Sequence, residues 1–229
     1  MNELLARHKK YWNQQKYRAS AFVGFLLFIG SLVANRYASF YATAQASNPV
    51  TDLLLDNIPV MKVEWIVNDV AVIFGFCMLG LILWQPRRIP FILKSVALFI
   101  FIRSGFITFT HLAPFPERVY LDPNDFFQSL TYGGDYFFSG HTGMSFLLAL
   151  VYWQEKSVRN FCLAASALLS AGVILGHLHY SIDVFAAFFI TYGIFVMAQK
   201  FFPYAYNVFS EGRKMPSLEK TSDFEKAIN

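Results

Sequence analysis

The chain has 229 residues, of which 55% are hydrophobic and only 15% are charged, and its formal net charge is +4. Soluble domains usually carry about 25% charged residues, so this composition excludes an ordinary soluble domain. The apolar residues come in long blocks, which indicates a helical membrane protein. The positive charge does not predict nucleic-acid binding, because the basic residues fall between and beyond the apolar blocks, where membrane proteins carry them.

Six apolar segments predict an all-α, polytopic membrane protein built as a bundle of six transmembrane helices. The segments lie near residues 19–43, 65–84, 89–110, 140–153, 160–178 and 182–202. The fourth is the shortest, and we expect its helix to begin before Ser139, within the preceding Tyr-Phe-Phe run.

Lysine and arginine are distributed unevenly over the two sides that six spans would create. They concentrate at both termini and in the loops after the second and fourth spans, which predicts that both termini are cytoplasmic. We divide the chain into a basic interfacial segment (1–18), a six-helix membrane domain (19–203) and a charged cytoplasmic tail (204–229). The helical spacing of apolar residues in the first segment favours a helix lying in the membrane interface, with a frayed basic tail as the alternative.

Two polar stretches interrupt the apolar pattern, GGDYFFSGHTG at 133–143 and GHLHYSID at 176–183. Ionisable residues are costly within a membrane and tend to be functional there. In the six-span topology His141, His179 and Asp183 all reach the non-cytoplasmic side. His179 and Asp183 are spaced i, i+4, so they share a face if both are helical. A carboxylate bonded to one imidazole nitrogen makes the other nitrogen a better nucleophile, and a second histidine could exchange a proton with the substrate.

The same side of the membrane could bind an anion. Ser139 is placed to cap the fourth helix, whose first amides would favour a phosphate oxygen. Arg103 stands within the apolar run LFIFIRSGFITF, about 20 Å along the third span from its cytoplasmic end. A guanidinium at this depth needs a partner, and the candidates are Asp69 in the second span and a bound phosphate.

Each of these features also has a structural interpretation. Arg103 and Asp69 could form a purely structural ion pair, and Asp135 could cap or solvate a loop. His177 and Tyr180 could be packing residues. The whole cluster could also serve as a binding site in a non-catalytic membrane protein or small transporter, because a fold does not fix a function.

The two stretches together resemble the type-2 phosphatidic acid phosphatase (PAP2) superfamily of six-helix membrane phosphatases and phosphotransferases. Residues 133–142, GGDYFFSGHT, are similar to the C-G-D-x-x-x-S-G-H-T pattern of its sphingomyelin synthase branch. Residues 179–188, HYSIDVFAAF, are similar to the H-Y-T-x-D-V-x-x-A-[YF] pattern of that branch. The stretch RSGFITFTHLAPFP, which begins at Arg103, is similar to a third segment of the branch.

The chain departs from the family pattern at a few positions. Gly133 stands where the branch has Cys, Ser181 stands where it has Thr, and the proline-rich first motif is not evident. The Lys-x6-Arg-Pro motif of the lipid phosphatases is also missing, and Val173 stands six residues before His179, where those enzymes carry Arg. Arg103 would have to replace these phosphate-binding cations, which favours the synthase branch.

The resemblance implies that His179 is the nucleophile, that Asp183 orients it and that His141 acts as acid and base. It also suggests a surrounding substrate-binding set, to which the residue pattern adds Asp69. That set is Arg103, Asp135, Ser139, Gly140, Thr142, Tyr180 and Asp69. No cofactor and no metal are expected, and the cysteines and histidines lack the spacing of a zinc site.

The expected function is transfer of a phospho-head group from a glycerophospholipid to a lipid alcohol, either ceramide or diacylglycerol. The alternative is a PAP2-type lipid phosphatase or a phospholipase C, both of which use water as acceptor. The expected partners are therefore membrane lipids and not nucleic acids. The expected location is a bacterial inner membrane, or the Golgi or plasma membrane of a eukaryote, with the active site on the non-cytoplasmic face.

Overall fold

The computed structural model describes residues 2–119 and 136–210, and these residues form helices and connecting turns without a β-strand. The predicted all-α class is therefore confirmed. A π-helical turn, Ile66–Val70, leads into α3, and a 3-10 turn, Pro86–Arg88, leads into α4. The helices are α1 (Asn2–Trp12), α2 (Gln15–Ala44), α3 (Ala71–Trp84), α4 (Ile89–Phe109), α5 (Gly140–Val151), α6 (Lys156–Leu175), α7 (Ser181–Phe201) and α8 (Pro203–Ser210).

Five helical stretches in the described part of the chain are long and apolar enough to cross a membrane, and they coincide with five of the predicted spans. The remaining predicted span corresponds to α5, which has only 12 residues, fewer than the roughly 20 that a membrane-spanning helix needs. The count of six spans therefore stays a prediction. The five stretches are Gln15–Ala44, Ile66–Trp84, Pro86–Phe109, Lys156–Leu175 and Ser181–Phe201.

The start of α5 differs from the sequence prediction. Phe138 has a φ of 25°, which is incompatible with a right-handed helix, and the helix begins at Gly140. The Ser139 side chain accepts a hydrogen bond from the Thr142 N–H, as an N-cap residue does. The expectation that this helix begins before Ser139 is therefore wrong, whereas the predicted cap at Ser139 is confirmed.

Backbone hydrogen bonds gather helix ends at one end of the bundle. The Ser139 N–H donates to the Asp183 carbonyl at 3.0 Å, which joins the start of α5 to the start of α7. The Ser47 N–H donates to the His111 carbonyl at 2.8 Å, which joins the segments that follow α2 and α4. The Tyr180 hydroxyl, in the second motif, donates to a carbonyl of the segment after α4, so the two motifs meet at the end of the bundle where α2 and α4 finish.

The opposite end of the bundle is fixed by polar contacts between turns. The Tyr17 hydroxyl donates to the Pro86 carbonyl at 2.6 Å. Fully buried Arg88 forms an ion pair with Glu155, which ties the turn before α4 to the turn before α6. Consecutive helices thus run up and down through the bundle.

The two predicted terminal segments contain helices. The first of them includes α1, where His8 Nε2 lies 2.8 Å from the Leu83 carbonyl, and its position in a membrane interface stays a prediction. The predicted tail includes α8, in which Phe209 is fully buried with its ring centroid 4.8 Å from that of Phe91. The first helix of this tail therefore packs on α4, and the boundary at residue 203 stays a prediction. Residues 211–229 lie outside the described part of the chain.

The helices pack along one another and leave a cavity between them. The helix α2 lies along α4, where a Cβ on Gly24 would come within 3.2 Å of Leu93 Cβ. The helix α3 lies on α6, where Cys162 Sγ is 3.5 Å from Met78 Sδ. Residues of α2, α3, α4 and α5 all line this cavity.

Candidate active site

The cavity has a volume of about 1040 Å³ and combines a polar end with apolar walls. Its walls are lined by residues of α2, α3, α4, α5 and α6, and they extend as far as Leu83 and Ile89 at the opposite end of the bundle. The polar lining residues lie near the ends of α2 and α4 and the start of α5. They are Asn35, Arg103, Arg118, Tyr136, His141, Ser145 and His179.

His179 and Asp183 form a buried pair. Their side chains are 3.4 Å apart, between Nδ1 and Oδ2, and the two residues are 7% and 1% exposed. Oδ2 also accepts the Tyr180 N–H at 3.2 Å. An ionised carboxylate can only accept, so His179 donates from Nδ1 and its Nε2 keeps a lone pair.

The contact between His179 and Asp183 does not come from a shared helical face. The preceding helix α6 ends at Leu175, because His177 adopts a left-handed backbone with a φ of 54°. His179 therefore lies in a short linker, and Asp183 reaches back toward it from the first turn of α7. The spacing correctly predicts the pair, but a helix N-terminus and not a continuous helix provides it.

His141 lines the same cavity as His179. It is the second residue of α5, and the hydrogen bond from Ser139 to the Asp183 backbone brings the two helix starts together. Gly140, the first residue of α5, also lines the cavity. Ser139 is fully buried, so the structure assigns it the role of a cap and gives its side chain no direct access to the cavity.

Arg103 lies against the start of α5. It is 5% exposed, and its Nε donates to the Phe138 carbonyl at 3.2 Å. Its Nη1 donates to Asn35 Oδ1 at 3.4 Å. A Cβ on Gly140 would lie 3.4 Å from Nε, which places the guanidinium against the first residue of α5. Arg103 therefore faces the cavity beside the backbone of the SGH motif.

Asp69 is not the partner of Arg103. It lies in the π-helical turn before α3 and is exposed, and among the described residues no hydrogen bond or ion pair joins it to Arg103. The amide oxygen of Asn35, on α2, accepts from the guanidinium in its place. The sequence prediction of an Arg103–Asp69 contact is therefore corrected, because the first span and not the second packs along α4.

Thr142 and Tyr180, both predicted to bind substrate, point away from the cavity. Thr142 is fully buried, and its Oγ1 lies 2.9 Å from Ser170 Oγ on α6. The Tyr180 hydroxyl donates to the Ala113 carbonyl at 2.9 Å and accepts from the Val50 N–H at 3.3 Å. Burial raises the pKa of Tyr180, so its hydroxyl stays protonated and keeps donating. Both side chains hold the loops and helices around the site.

Asp135 and His177 are the remaining candidate residues of the two motifs. Asp135 lies outside the described residues. His177 has its Nδ1 3.0 Å from the Glu117 carbonyl and its ring edge-on to Phe115, with centroids 5.2 Å apart. These contacts favour the structural interpretation of His177.

Asp52 is a residue of the site region that sequence reasoning missed. Its Oδ2 accepts the Ser181 N–H at 2.7 Å, and its Oδ1 accepts the Leu54 N–H at 2.9 Å. Burial alone would raise the pKa of Asp52, but these hydrogen bonds outweigh it and hold the pKa below its usual range. Asp52 thus caps α7 from a loop 129 residues away in the sequence, and no local pattern signals such a contact.

The comparison with known families agrees with this geometry. Residues 133–200 match the family described as PAP2 superfamily C-terminal. The matched range contains His141, His179 and Asp183, so it supports the resemblance to the superfamily and a lipid phosphatase or phosphotransferase in a membrane. The synthase branch stays a prediction. No curated protein and no solved structure gives a significant match to the chain.

Proposed function

We propose that the protein is a membrane-embedded lipid phosphotransferase of sphingomyelin synthase type. It would move a phospho-head group from a glycerophospholipid to ceramide or diacylglycerol. The observation that carries this proposal is that His141, His179 and Arg103 line one end of a cavity whose remaining walls are apolar. Imidazole and guanidinium groups suit a phosphoester, and apolar walls suit hydrocarbon chains.

In the first half-reaction His179 Nε2 attacks the phosphorus of the donor lipid. A nitrogen–phosphorus bond forms while the bond from phosphorus to the diacylglycerol oxygen breaks. His141, protonated at this stage, gives its proton to the departing oxygen, so that neutral diacylglycerol leaves. Asp183 holds the His179 ring through Nδ1 and stabilises the positive charge that develops on it.

In the second half-reaction the now neutral His141 takes the proton from the hydroxyl of the acceptor lipid. The acceptor oxygen attacks phosphorus, the nitrogen–phosphorus bond breaks, and His179 returns to its starting state. The negative charge on the phosphoryl oxygens is met by Arg103 and by the amides at the start of α5, which lie side by side.

We further infer that the polar end of the cavity faces the non-cytoplasmic side. The opposite end carries the turn with Arg87 and Arg88 and the basic segment before α2, as the positive-inside rule expects of a cytoplasmic face. The hydrogen bonds among the motif loops are consistent with one shared site at the other face.

The test uses purified protein in liposomes of phosphatidylcholine and phosphatidylethanolamine that also contain fluorescent ceramide. The lipids are separated, and a new fluorescent phospholipid is the expected product. His141→Ala, His179→Ala and Asp183→Ala should each abolish its formation. His111→Ala is the matched control, since His111 lies near the same end of the bundle but does not line the cavity.

The outcomes separate the candidate reactions. If any one of the three variants kept full activity, its residue would have no role in the mechanism, and the proposal would be wrong. Untouched ceramide together with accumulating free phosphate or diacylglycerol would identify water as the acceptor, as in a lipid phosphatase or phospholipase C. Absence of turnover with every donor lipid would favour a binding protein.

A further inference from the structure

The segment Glu117–Val119 is anchored to the linker that carries His179. The Val119 N–H donates to the Gly176 carbonyl at 3.0 Å. The His177 ring lies 3.0 Å from the Glu117 carbonyl through Nδ1, and it donates there because a carbonyl can only accept. These two hydrogen bonds flank Arg118 and fix its backbone beside the nucleophile linker.

The Arg118 side chain lines the same cavity as His141 and His179. Its guanidinium donates from Nη1 to the hydroxyl of Tyr136, a buried residue whose ring centroid lies 6.1 Å from that of His179. This contact uses one of the five N–H donors of a guanidinium. Arg118 is therefore held toward the nucleophile while its other donors can bind a ligand.

The charge of the cavity lining points to an anion. In the described ranges the lining includes Arg103 and Arg118 but neither an aspartate nor a glutamate. Two guanidinium groups that share one largely apolar cavity repel each other, and a bound anion relieves that repulsion. A phosphate group also matches the forked donor geometry of arginine.

The part of the cavity wall that α6 forms is apolar, which explains why a cation from a loop is needed there. Val173 stands on α6 six residues before His179, is fully buried and packs with Val67 and Val184. This part of the wall is apolar and supplies no charge to the phosphoryl group. Arg118 approaches the same cavity from the segment after α4.

We propose that Arg118 is a second phosphate-binding residue, which binds the phosphoryl group together with Arg103. Arg103 approaches from α4 within the bundle, whereas Arg118 approaches from the loop segment beside His179. The phosphoryl group would thus be held between two guanidinium groups in front of the nucleophile. This inference rests on the proposed function, because it concerns the substrate of the same site.

The experiment compares Arg118→Gln and Arg118→Lys with the wild-type protein. The control is Lys62→Gln, which removes one positive charge from an exposed position in the loop before α3. Binding of inorganic phosphate is measured from the rise in unfolding temperature with phosphate concentration, and KM and kcat are measured with the lipid donor. The unfolding temperature without phosphate shows whether each variant is folded.

Loss of a charge-assisted hydrogen bond should weaken phosphate binding and raise KM by about 10- to 100-fold in Arg118→Gln, with a smaller change in kcat. The KM and phosphate affinity of Arg118→Lys should lie between those of the wild type and Arg118→Gln. Lysine keeps the positive charge but loses the two parallel N–H donors of a guanidinium. Lys62→Gln should match the wild type. Phosphate affinity and KM unchanged in Arg118→Gln would overturn the inference, and so would absence of phosphate binding by the wild-type protein.

Failure of the proposed function gives a different result. Phosphate binding that depends on Arg118 would support the inference even if the wild-type protein turned over no lipid. In that case the phosphotransferase proposal would fail while the phosphate site would stand. If lipid turnover depended on the histidines but KM and phosphate affinity were unchanged in Arg118→Gln, the phosphotransferase proposal would stand and the Arg118 inference would fail.

Discussion

The wall of the cavity beside Gly75 allows a direct test of where a lipid chain lies. Gly75 is on α3 and lines the cavity, and a Cβ added there meets no atom within 4 Å. The substitution Gly75→Phe should therefore place a phenyl ring in the cavity without disturbing the packing of α3. The ring would sit about 12 Å along the helix axis from Val67, which packs beside α7 at the polar end.

The expected size of the effect follows from crowding and not from hydrophobic transfer. The hydrocarbon interior of a bilayer is as apolar as the cavity wall, so a chain that moves from lipid into the cavity gains little transfer free energy. A ring in the path of the chain acts as overpacking, which costs about 1–3 kcal/mol. This corresponds to a fall of about 5- to 150-fold in kcat/KM for a donor lipid with long chains.

The assay measures kcat/KM for donor lipids that share a head group but differ in chain length. A short chain ends before it reaches the ring, so Gly75→Phe should affect long-chain donors more than short-chain donors. Gly80→Phe is the matched control, because Gly80 lies on the same helix, has no atom within 4 Å of a Cβ and does not line the cavity. Equal kcat/KM for all chain lengths in folded Gly75→Phe would refute the placement of the chain in this cavity.

Three further substitutions test the site and its frame. Asp183→Asn should lower kcat by about 10²- to 10⁴-fold in the lipid assay, because an amide no longer fixes the protonated Nδ1 of His179. An unchanged kcat would contradict this role of Asp183. Gly143→Ala should destabilise the protein by about 1–3 kcal/mol in an unfolding assay, because the added Cβ would lie 2.7 Å from the Phe99 ring. A variant as stable as the wild type would contradict that packing. Asp52→Ala should lower stability by about 0.5–2 kcal/mol at neutral pH. The lowered pKa of Asp52 means that this difference is present above about pH 4 and vanishes as the pH falls through that pKa, so the unfolding temperatures of the two proteins should converge in acid.

Hydropathy predicts the helices because a span requires a long apolar block, and the predicted blocks agree with the observed helices to within a few residues. It fails at the start of α5, since the apolar run before Ser139 looks like a continuation of the span. What ends the helix there is the backbone of Phe138 and the side-chain cap of Ser139, neither of which changes the hydropathy.

Contacts between distant segments are beyond the reach of local patterns. Asn35 and Arg103 are 68 residues apart, and an asparagine within an apolar span has no spacing that relates it to a particular arginine. Arg118 lies in a polar segment where a basic residue is normally unremarkable. It is brought to His179 by contacts between distant segments, among them the hydrogen bonds of Val119 and His177 and its own hydrogen bond to Tyr136.

The prediction that Thr142 binds substrate treats the motif as a continuous string of site residues. On a helix each residue is rotated by about 100° from the one before it, so consecutive residues cannot all face a substrate. Gly140, His141 and Met144 line the cavity, whereas Thr142 faces α6. Helical periodicity alone could have assigned Thr142 to the other face.

The position of Thr142 against α6 leads to a prediction about Thr142→Val. Ser170 donates its hydroxyl proton to the Ser166 carbonyl at 2.6 Å, so Thr142 is the donor in its contact with Ser170. The substitution removes that donor and leaves Ser170 bonded to α6, so it should destabilise the protein by only about 0.5–1.5 kcal/mol. The KM for the donor lipid should stay at the wild-type value, as measured beside the unfolding temperature. A raised KM with unchanged stability would instead assign Thr142 to the substrate.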